Sequence, residues 1–429
     1  MKSSAVMALS MVCMVSSFTF SADWAEFSGP NRSNISPETG INKNWNDKPP
    51  KELWAVQTGP GFGGAGIADG KVYILDRKDD LQDVLRCFDL NTGSELWSYG
   101  YDAPGQPSFN GSRSTPTVDG QYIYTVGVFG DVYCFDAKTQ KPVWNRSLKN
   151  DFGSQAPNWA YSQSPVRYKD VLIIAPMSSA AGMAALNHKT GETVWTSPPI
   201  GGDTYMSPTL FTIDGTDQFF LQTRGEGETM YFNSINPDNG EILWRLQDDG
   251  YFNKIPIPSP THLGDGLLFI TGGYGAGSCL LQVKQDGGKW SAEITKTMPD
   301  YGAQIHPLVH YNGHLYGNLN TNENLRGRTG PDGLACISPD GEIVWQTKGD
   351  LPINRGGLII VDGAILVLGD ESGDLHIVEC THEGFNKLGS YKVFTGLRSR
   401  DNNLWAPLAL ANGKLVVRSQ TEIKCLDLL

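Results

Sequence analysis

No two cysteines are adjacent in this 429-residue chain, and neither Cys-x-x-Cys nor His-Glu-x-x-His occurs. The spacings that hold structural or catalytic zinc are missing. Basic charge is scarce as well: 34 Lys and Arg stand against 46 Asp and Glu, a net charge of −12. That disfavours nucleic acid and anionic membrane surfaces as partners. Beyond residue 20 no apolar run is long enough to cross a bilayer. The seven histidines (188, 262, 306, 310, 314, 376 and 382) are scattered, with no nucleophile elbow or triad-like context. His310 and His314 flank the Asn312-Gly313 turn and read as a solvated hairpin rather than a metal pair. No glycosidase carboxylate pair can be picked out from spacing.

Glycine (50) and tryptophan (11) are plentiful, and they fall in a pattern. Residues 114–144 hold four short apolar runs at 115–118, 122–128, 132–135 and 142–144. The runs alternate and are rich in β-branched and aromatic residues. The breaks, beginning with Asp119-Gly120, are turn signals. The stretch predicts four antiparallel strands in a meander.

The unit recurs. A closing aromatic falls at Trp54, Trp97, Trp144, Trp195, Trp244, Trp290, Trp345 and Phe394. The first turn recurs as Asp-Gly or Asn-Gly at 69, 119, 214, 265, 312, 362 and 412, with Lys169-Asp170 in the remaining unit. Four strands every 45 to 50 residues mean propeller blades. Trp54 has no strands before it, and the last unit, 405–429, has three strands and no closing Trp. The two halves complete each other. The reading is all-β: one eight-bladed β-propeller of four-stranded antiparallel blades, with residues 51–57 supplying the outer strand of the last blade and removing two free sheet edges.

Residues 1–22 read as a secretory signal peptide, with Lys2 at the positive end and an apolar run at 5–20. Residues 23–429 then form the single propeller domain, placed in the periplasm or cell envelope. Cys13 is a weak lipidation candidate, since Val12 before it is large. The six remaining cysteines invite a disulfide reading. However, Cys87, Cys134, Cys336 and Cys425 share one third-strand position. They read as buried free thiols acting as small apolar residues.

Three stretches carry a family resemblance. They are Phe88-Asp89-Leu90-Asn91-Thr92-Gly93…Trp97, Cys134-Phe135-Asp136-Ala137-Lys138-Thr139…Trp144 and Ala185-Leu186-Asn187-His188-Lys189-Thr190-Gly191…Trp195. They resemble the AxDxxTGxxxW docking motif of pyrroloquinoline-quinone (PQQ) repeats. Such repeats occur in quinoprotein alcohol dehydrogenases and in BamB-like propeller lipoproteins of the envelope. More narrowly, Asp23-Trp24, Phe27 to Arg32, Pro157 to Tyr161, Gly273-Tyr274-Gly275 and Asn403 to Pro407 look like exported PQQ-binding-like propellers with no assigned reaction. The resemblance implies that Trp and Gly tie each blade to the next. In the enzymes of the family it implies a quinone, an adjacent Cys-Cys disulfide, Ca²⁺ held by Glu, Asn and Asp, and an Asp base. This chain lacks the Cys-Cys pair. A Ca²⁺ site built from Asp401 with Asn402 or Asn403 competes with plain loop capping.

The expectation is a non-catalytic binding or scaffold propeller, with no cofactor predicted; a PQQ-dependent oxidoreductase acting on an alcohol or sugar is the alternative. Long loops all emerge on one face of the ring, where binding usually sits. Aligned blade starts place Arg113, Trp159, Tyr161, Tyr205, His306, Arg355 and Trp405 near the axial mouth. Arg and aromatic residues round a concavity are the usual make-up of a binding site, although inter-blade packing can also explain several of them. Two cations on an acidic protein suggest an anionic group on the ligand. An envelope protein or a saccharide is also an expected partner, and the protein is expected to be a monomer.

Overall fold

The computed structural model describes residues 22–227, 229–248, 255–321, 333–351, 353–397 and 403–429. The expected leader lies outside the described residues. So do most of the 318–333 insertion and Asp401 and Asn402.

Eight antiparallel four-stranded sheets follow one another along the chain, forming an eight-bladed propeller. Blades 1 to 7 span residues 66–102, 117–147, 166–196, 209–248, 261–298, 309–346 and 358–392. Blade 8 takes its three inner strands from 409–427 and its outer strand from the other end of the chain. Lys51–Gln57 pairs antiparallel with Glu422–Asp427, with Trp54 opposite Cys425.

The docking motif works through local chemistry. Asp89 Oδ1 accepts hydrogen bonds from the backbone N–H groups of Asn91 and Thr92, and Asp136 and Asn187 do the same in their turns. Short side chains that mimic a backbone turn are the reason Asp and Asn sit there. The turns at Asp89 and Asn187 end on a glycine with positive φ, 70° at Gly93 and 75° at Gly191, which L side chains reach only with strain; the Asp136 turn ends on Gln140 at φ 61°. The glycine also leaves room for an indole. A Cβ at Gly93 would lie 2.6 Å from the Trp54 ring, and one at Gly191 2.7 Å from the Trp144 ring. These two indoles also donate into the next blade, Trp54 Nε1 to the Leu90 carbonyl at 2.9 Å and Trp144 Nε1 to that of His188 at 3.1 Å. Trp195 and Trp345 likewise reach Pro237 and Thr381, whereas Trp244 Nε1 donates to Gln218 of its own blade at 2.9 Å.

Register corrects two of the eight expected closing aromatics. The docking Trp follows a bulge and faces a fixed third-strand position, as with Trp97 and Cys87. In blade 5 that place belongs to Lys296, opposite Leu280, while Trp290 lies further along the hairpin against Gln285. Lys296 reaches the Asp340 carbonyl of blade 6 at 2.8 Å in place of an indole. In blade 7 the place is Gly389, opposite Ile377, and Phe394 is a core residue beyond the strand. The gap at Gly389 is filled by Trp45, whose Cβ would lie 2.6 Å from a Cβ added at Gly389. Spacing alone could not separate a docking Trp from an aromatic a few residues away.

Inter-sheet packing is apolar. Cys87, Cys134, Cys336 and Cys425 are wholly buried, and all six described cysteines are free thiols. Burial pushes the Cys87 thiol up to about 11, so it stays protonated and inert.

Residues 24–38 run into the axial space. Trp24 pairs with Ile67 of blade 1, and the Ala25 carbonyl accepts from Val118 N of blade 2 at 2.7 Å. Arg32 Nη2 donates to the Arg167 carbonyl of blade 3 at 3.0 Å. Ile35–Ser36 returns parallel to Leu358–Val361 of blade 7. The Glu38 carboxylate accepts from Asn412 N and, at 2.8 Å, from Gly413 N of blade 8.

Docking and turn geometry can be separated experimentally. Gly120 has φ 77°, and nothing lies within 4 Å of an added Cβ. Gly120→Ala is expected to cost about 1 kcal/mol from backbone strain alone. Gly93→Ala adds a collision with Trp54 and is expected to cost about 3 kcal/mol or more. Urea unfolding of both variants checks the difference; equal losses would show that the indole contact contributes nothing.

Candidate functional site

Inner strands begin at one end of the ring, and the residues just before them surround a cavity of about 390 Å³ on the axis. Arg113, Trp159, Tyr205, His306, Arg355 and Trp405 all line it. Tyr161 does not. Ala160 has φ 66°, so the chain reverses between Trp159 and Tyr161. The Tyr161 ring is buried among Trp144, Leu148 and Phe152, and its hydroxyl bonds Ser154. It is a core residue of blades 2 and 3, and its two-residue spacing from Trp159 was a misleading guide.

Two aromatic walls enclose the cavity. On one side the Trp159 ring lies 5.1 Å from Tyr205 and 6.0 Å from Tyr274. Trp159 N also donates to the Tyr205 hydroxyl at 3.1 Å. On the other side Trp405 stacks on Phe62 at 5.5 Å. Phe109 bridges the walls, 5.8 Å from Trp405 and 6.5 Å from Trp159.

Both arginines sit on the second wall. The Arg113 guanidinium lies 5.6 Å from the Phe62 centroid, and that of Arg355 lies 5.6 Å from the Trp405 centroid. Arg113 donates to the carbonyls of Gly111 at 2.7 Å and Phe109 at 2.6 Å. Among the described residues it has no carboxylate at ion-pair distance. Burial lowers its pKa to about 10, so it remains a cation at neutral pH. Arg355 Nε donates to Gln304 Oε1 at 2.8 Å. Burial pushes the His306 imidazole down to about 4, and its Nε2 is buried without a partner among the described residues. His306 is therefore a neutral hydrogen-bonding group.

Asp370 stands behind the second wall, 2% exposed. Its Oδ2 accepts from Trp405 Nε1 at 3.2 Å, while Oδ1 has no partner among the described residues. Burial lifts this carboxyl to about 6; the Trp405 bond and Arg355 oppose the rise and Glu371 adds to it.

Sequence reasoning missed Phe27, Phe62, Phe109, Gln304 and Asp370 as neighbours of the site. Phe27 and Tyr274 lay in stretches already noted for their resemblance, and that was the available signal. Asn403 lines the cavity, while the other residues of the Ca²⁺ reading lie outside the described residues. His310 and His314 do not face each other as a pair: His314 stacks on His382 of blade 7 at 4.4 Å, and His310 faces the axial space.

A family model described as outer membrane protein assembly factor BamB matches residues 81–322, more than half of the chain. The chain belongs to this family of PQQ-repeat propellers. Solved structures carry the same fold. A europium-containing methanol dehydrogenase is 12% identical, with a TM-score of 0.66, over 95% of this chain and 98% of that one. BamB from Moraxella catarrhalis is 14% identical, TM-score 0.60, over 88% and 99%. Quinohemoprotein alcohol dehydrogenase from Comamonas testosteroni is 15% identical, TM-score 0.62, over 94% and 80%. Among curated proteins, tetrathionate hydrolase of Acidithiobacillus ferrooxidans is 26% identical over 171 residues, 36% of this chain and 33% of that protein. The chain thus spans about a third of the length of the curated relative it matches. Among the described residues no helix is long and apolar enough to cross a membrane.

The raised Asp370 pKa fixes a pH dependence. The carboxyl binds a proton more tightly folded than unfolded. Its contribution to stability is fully present below about pH 4 and is lost as pH rises through about 6. Asp370→Asn keeps an acceptor for Trp405 and removes the charge. The variant is expected to lose this pH dependence and to gain up to about 2 to 3 kcal/mol over wild type at neutral pH. Urea unfolding of both proteins across that window checks it.

Proposed function

We propose that this BamB-family propeller is a non-catalytic binding or scaffold protein of the cell envelope, exported by its N-terminal segment. Its ligand site is the axial mouth. The observation that carries this reading is that Arg113, Arg355 and two aromatic walls converge on one cavity. The walls suit a flat or ring-shaped body, and the arginines suit an anionic group at its edge. Cations stacked on aromatic faces keep their charge while losing water. The family description supports a protein partner in addition, engaged through the loops that surround the mouth.

The quinoprotein alternative can be weighed on the residues present. Its metal is held by Glu, Asn and Asp, its quinone lies against an adjacent Cys pair, and an Asp takes the alcohol proton. The described lining offers Asn403 and no carboxylate. Asp370 lies behind Trp405 with one oxygen taken by the indole. The described part of this donor set suits binding of a planar anion.

The test uses PQQ, without added metal, as a planar aromatic tricarboxylate probe, read by quenching of the mouth tryptophans. Saturable quenching is expected, weakened about tenfold or more by Arg113→Met, a loss of about 1.4 kcal/mol. Absence of binding, or equal binding by the variant, would count against the mouth as an anion site. Alcohol-dependent dye reduction by the loaded protein with Ca²⁺ would overturn the non-catalytic reading.

A further inference from the structure

A second cavity, of about 510 Å³, lies on the axis next to the mouth. Phe27, Ser207 and Ser259 line both spaces, so Phe27 stands between them. One wall of this chamber is the lead-in, from Glu26 to Asn34. The other is made by the inner strands of blades 3 to 6.

The lead-in wall is strained. Ser28, Asn31, Arg32 and Asn34 have φ of 65°, 54°, 53° and 57°. Asn tolerates this region, whereas Ser and Arg do not adopt it readily. The backbone is held there by Gly29 N to the Glu26 carbonyl at 3.0 Å, Arg32 N to that of Gly29 at 2.9 Å and Asn34 N to that of Ser28 at 2.8 Å. Retained strain of this kind marks places where a particular side-chain position matters. Here it sets Arg32 in the chamber wall, with Nη2 2.7 Å from Glu26 Oε2. Arg32 Nε is buried and has no hydrogen-bond partner among the described residues, and in the opposite wall the same is true of His262 Nε2. Both residues line the chamber and are part-exposed, so their remaining polar edges are groups the chamber offers to a ligand.

The charge in this chamber is compensated. Arg32 is paired with Glu26. Burial lowers the pKa of both His262 and His310, which leaves the imidazoles neutral at pH 7. An added anion would meet the Glu26 carboxylate, and an added cation the Arg32 guanidinium. The remaining wall presents the C–H faces of Pro165, Pro208, Pro260 and Pro307. Ring C–H faces beside isolated donors and acceptors match a molecule that is apolar on its face and hydroxylated at its edge.

We propose that the chamber binds a neutral, hydroxyl-rich ligand of mono- to disaccharide size, held between the side chains of Arg32 and His262. The volume falls in the range of small-ligand sites. This site is distinct from the mouth and does not depend on the reading given to the mouth.

Calorimetric titration of the mature protein with D-glucose, maltose and myo-inositol tests it, with gluconate as an anionic control. Saturable binding of at least one neutral probe is expected. The affinity should be unchanged in Arg113→Met, which alters the mouth, and about tenfold or more weaker in Arg32→Met. Because Arg32→Met strands Glu26 and can unfold the lead-in, His262→Leu serves as an independent variant that leaves the ion pair intact and should weaken binding similarly. No heat from any neutral probe up to about 50 mM, unchanged binding by His262→Leu, or equal affinity for gluconate would overturn the proposal.

Discussion

An indole laid over a glycine of the next blade, as Trp54, Trp144 and Trp195 lie over Gly93, Gly191 and Gly240, is the contact on which these three junctions and the closure of the ring depend. It joins units that share no backbone hydrogen-bond ladder, and it does so with one large apolar face and one directed N–H. The glycine contributes twice, through a backbone conformation that closes its own turn and through the absence of a Cβ beneath the ring. At the junction of blades 8 and 1 the contact is made by Trp54 and Gly93, so the same chemistry that spaces the blades also closes the circle. Where the motif lapses, another group takes the place: a lysine ammonium in blade 5, and Trp45 from the lead-in in blade 7.

Ring closure fixes what lies on the axis. Eight inner strands converge there, and their first residues face one another across a gap too wide for side chains to fill. The chain uses its own lead-in to occupy part of that gap, touching blades 1, 2, 3, 7 and 8. What is left is divided by Phe27 into a mouth with aromatic walls and two arginines, and a chamber with a compensated ion pair and neutral imidazoles. The two spaces differ in charge because their contributors differ. The mouth is made mainly from inter-blade loops, and the chamber from strand residues and the lead-in.

The repeat was legible in the sequence because turn chemistry and strand alternation are local, and eight copies reinforce one another. The blade count and the outer strand from residues 51–57 followed from that periodicity. Of the seven residues named from aligned blade starts, six line the mouth, since equivalent positions in a closed ring are brought to the same end. Tyr161 could not be separated from Trp159, because the reversal at Ala160 is a backbone event that side-chain type does not signal. Asp370 was invisible for a different reason: a single acid after a strand looks like any turn residue until its burial is known. The chamber was equally hidden, since it exists only where the lead-in meets blades distant in sequence.

The clasp has a consequence for how the molecule comes into being. The strand at residues 51–57 emerges early in synthesis, while its partner at residues 422–427 emerges only after the seven blades between them. Until then the first blades must wait with an unfilled seam, and residues 409–427 decide whether it closes. A chain cut short by a few tens of residues would carry seven sound blades and two open edges. Such a product is a template for intermolecular strand pairing. The fold thus makes the strands at residues 409–427 a checkpoint on ring closure, and their loss is converted into an assembly-prone species rather than a slightly smaller protein.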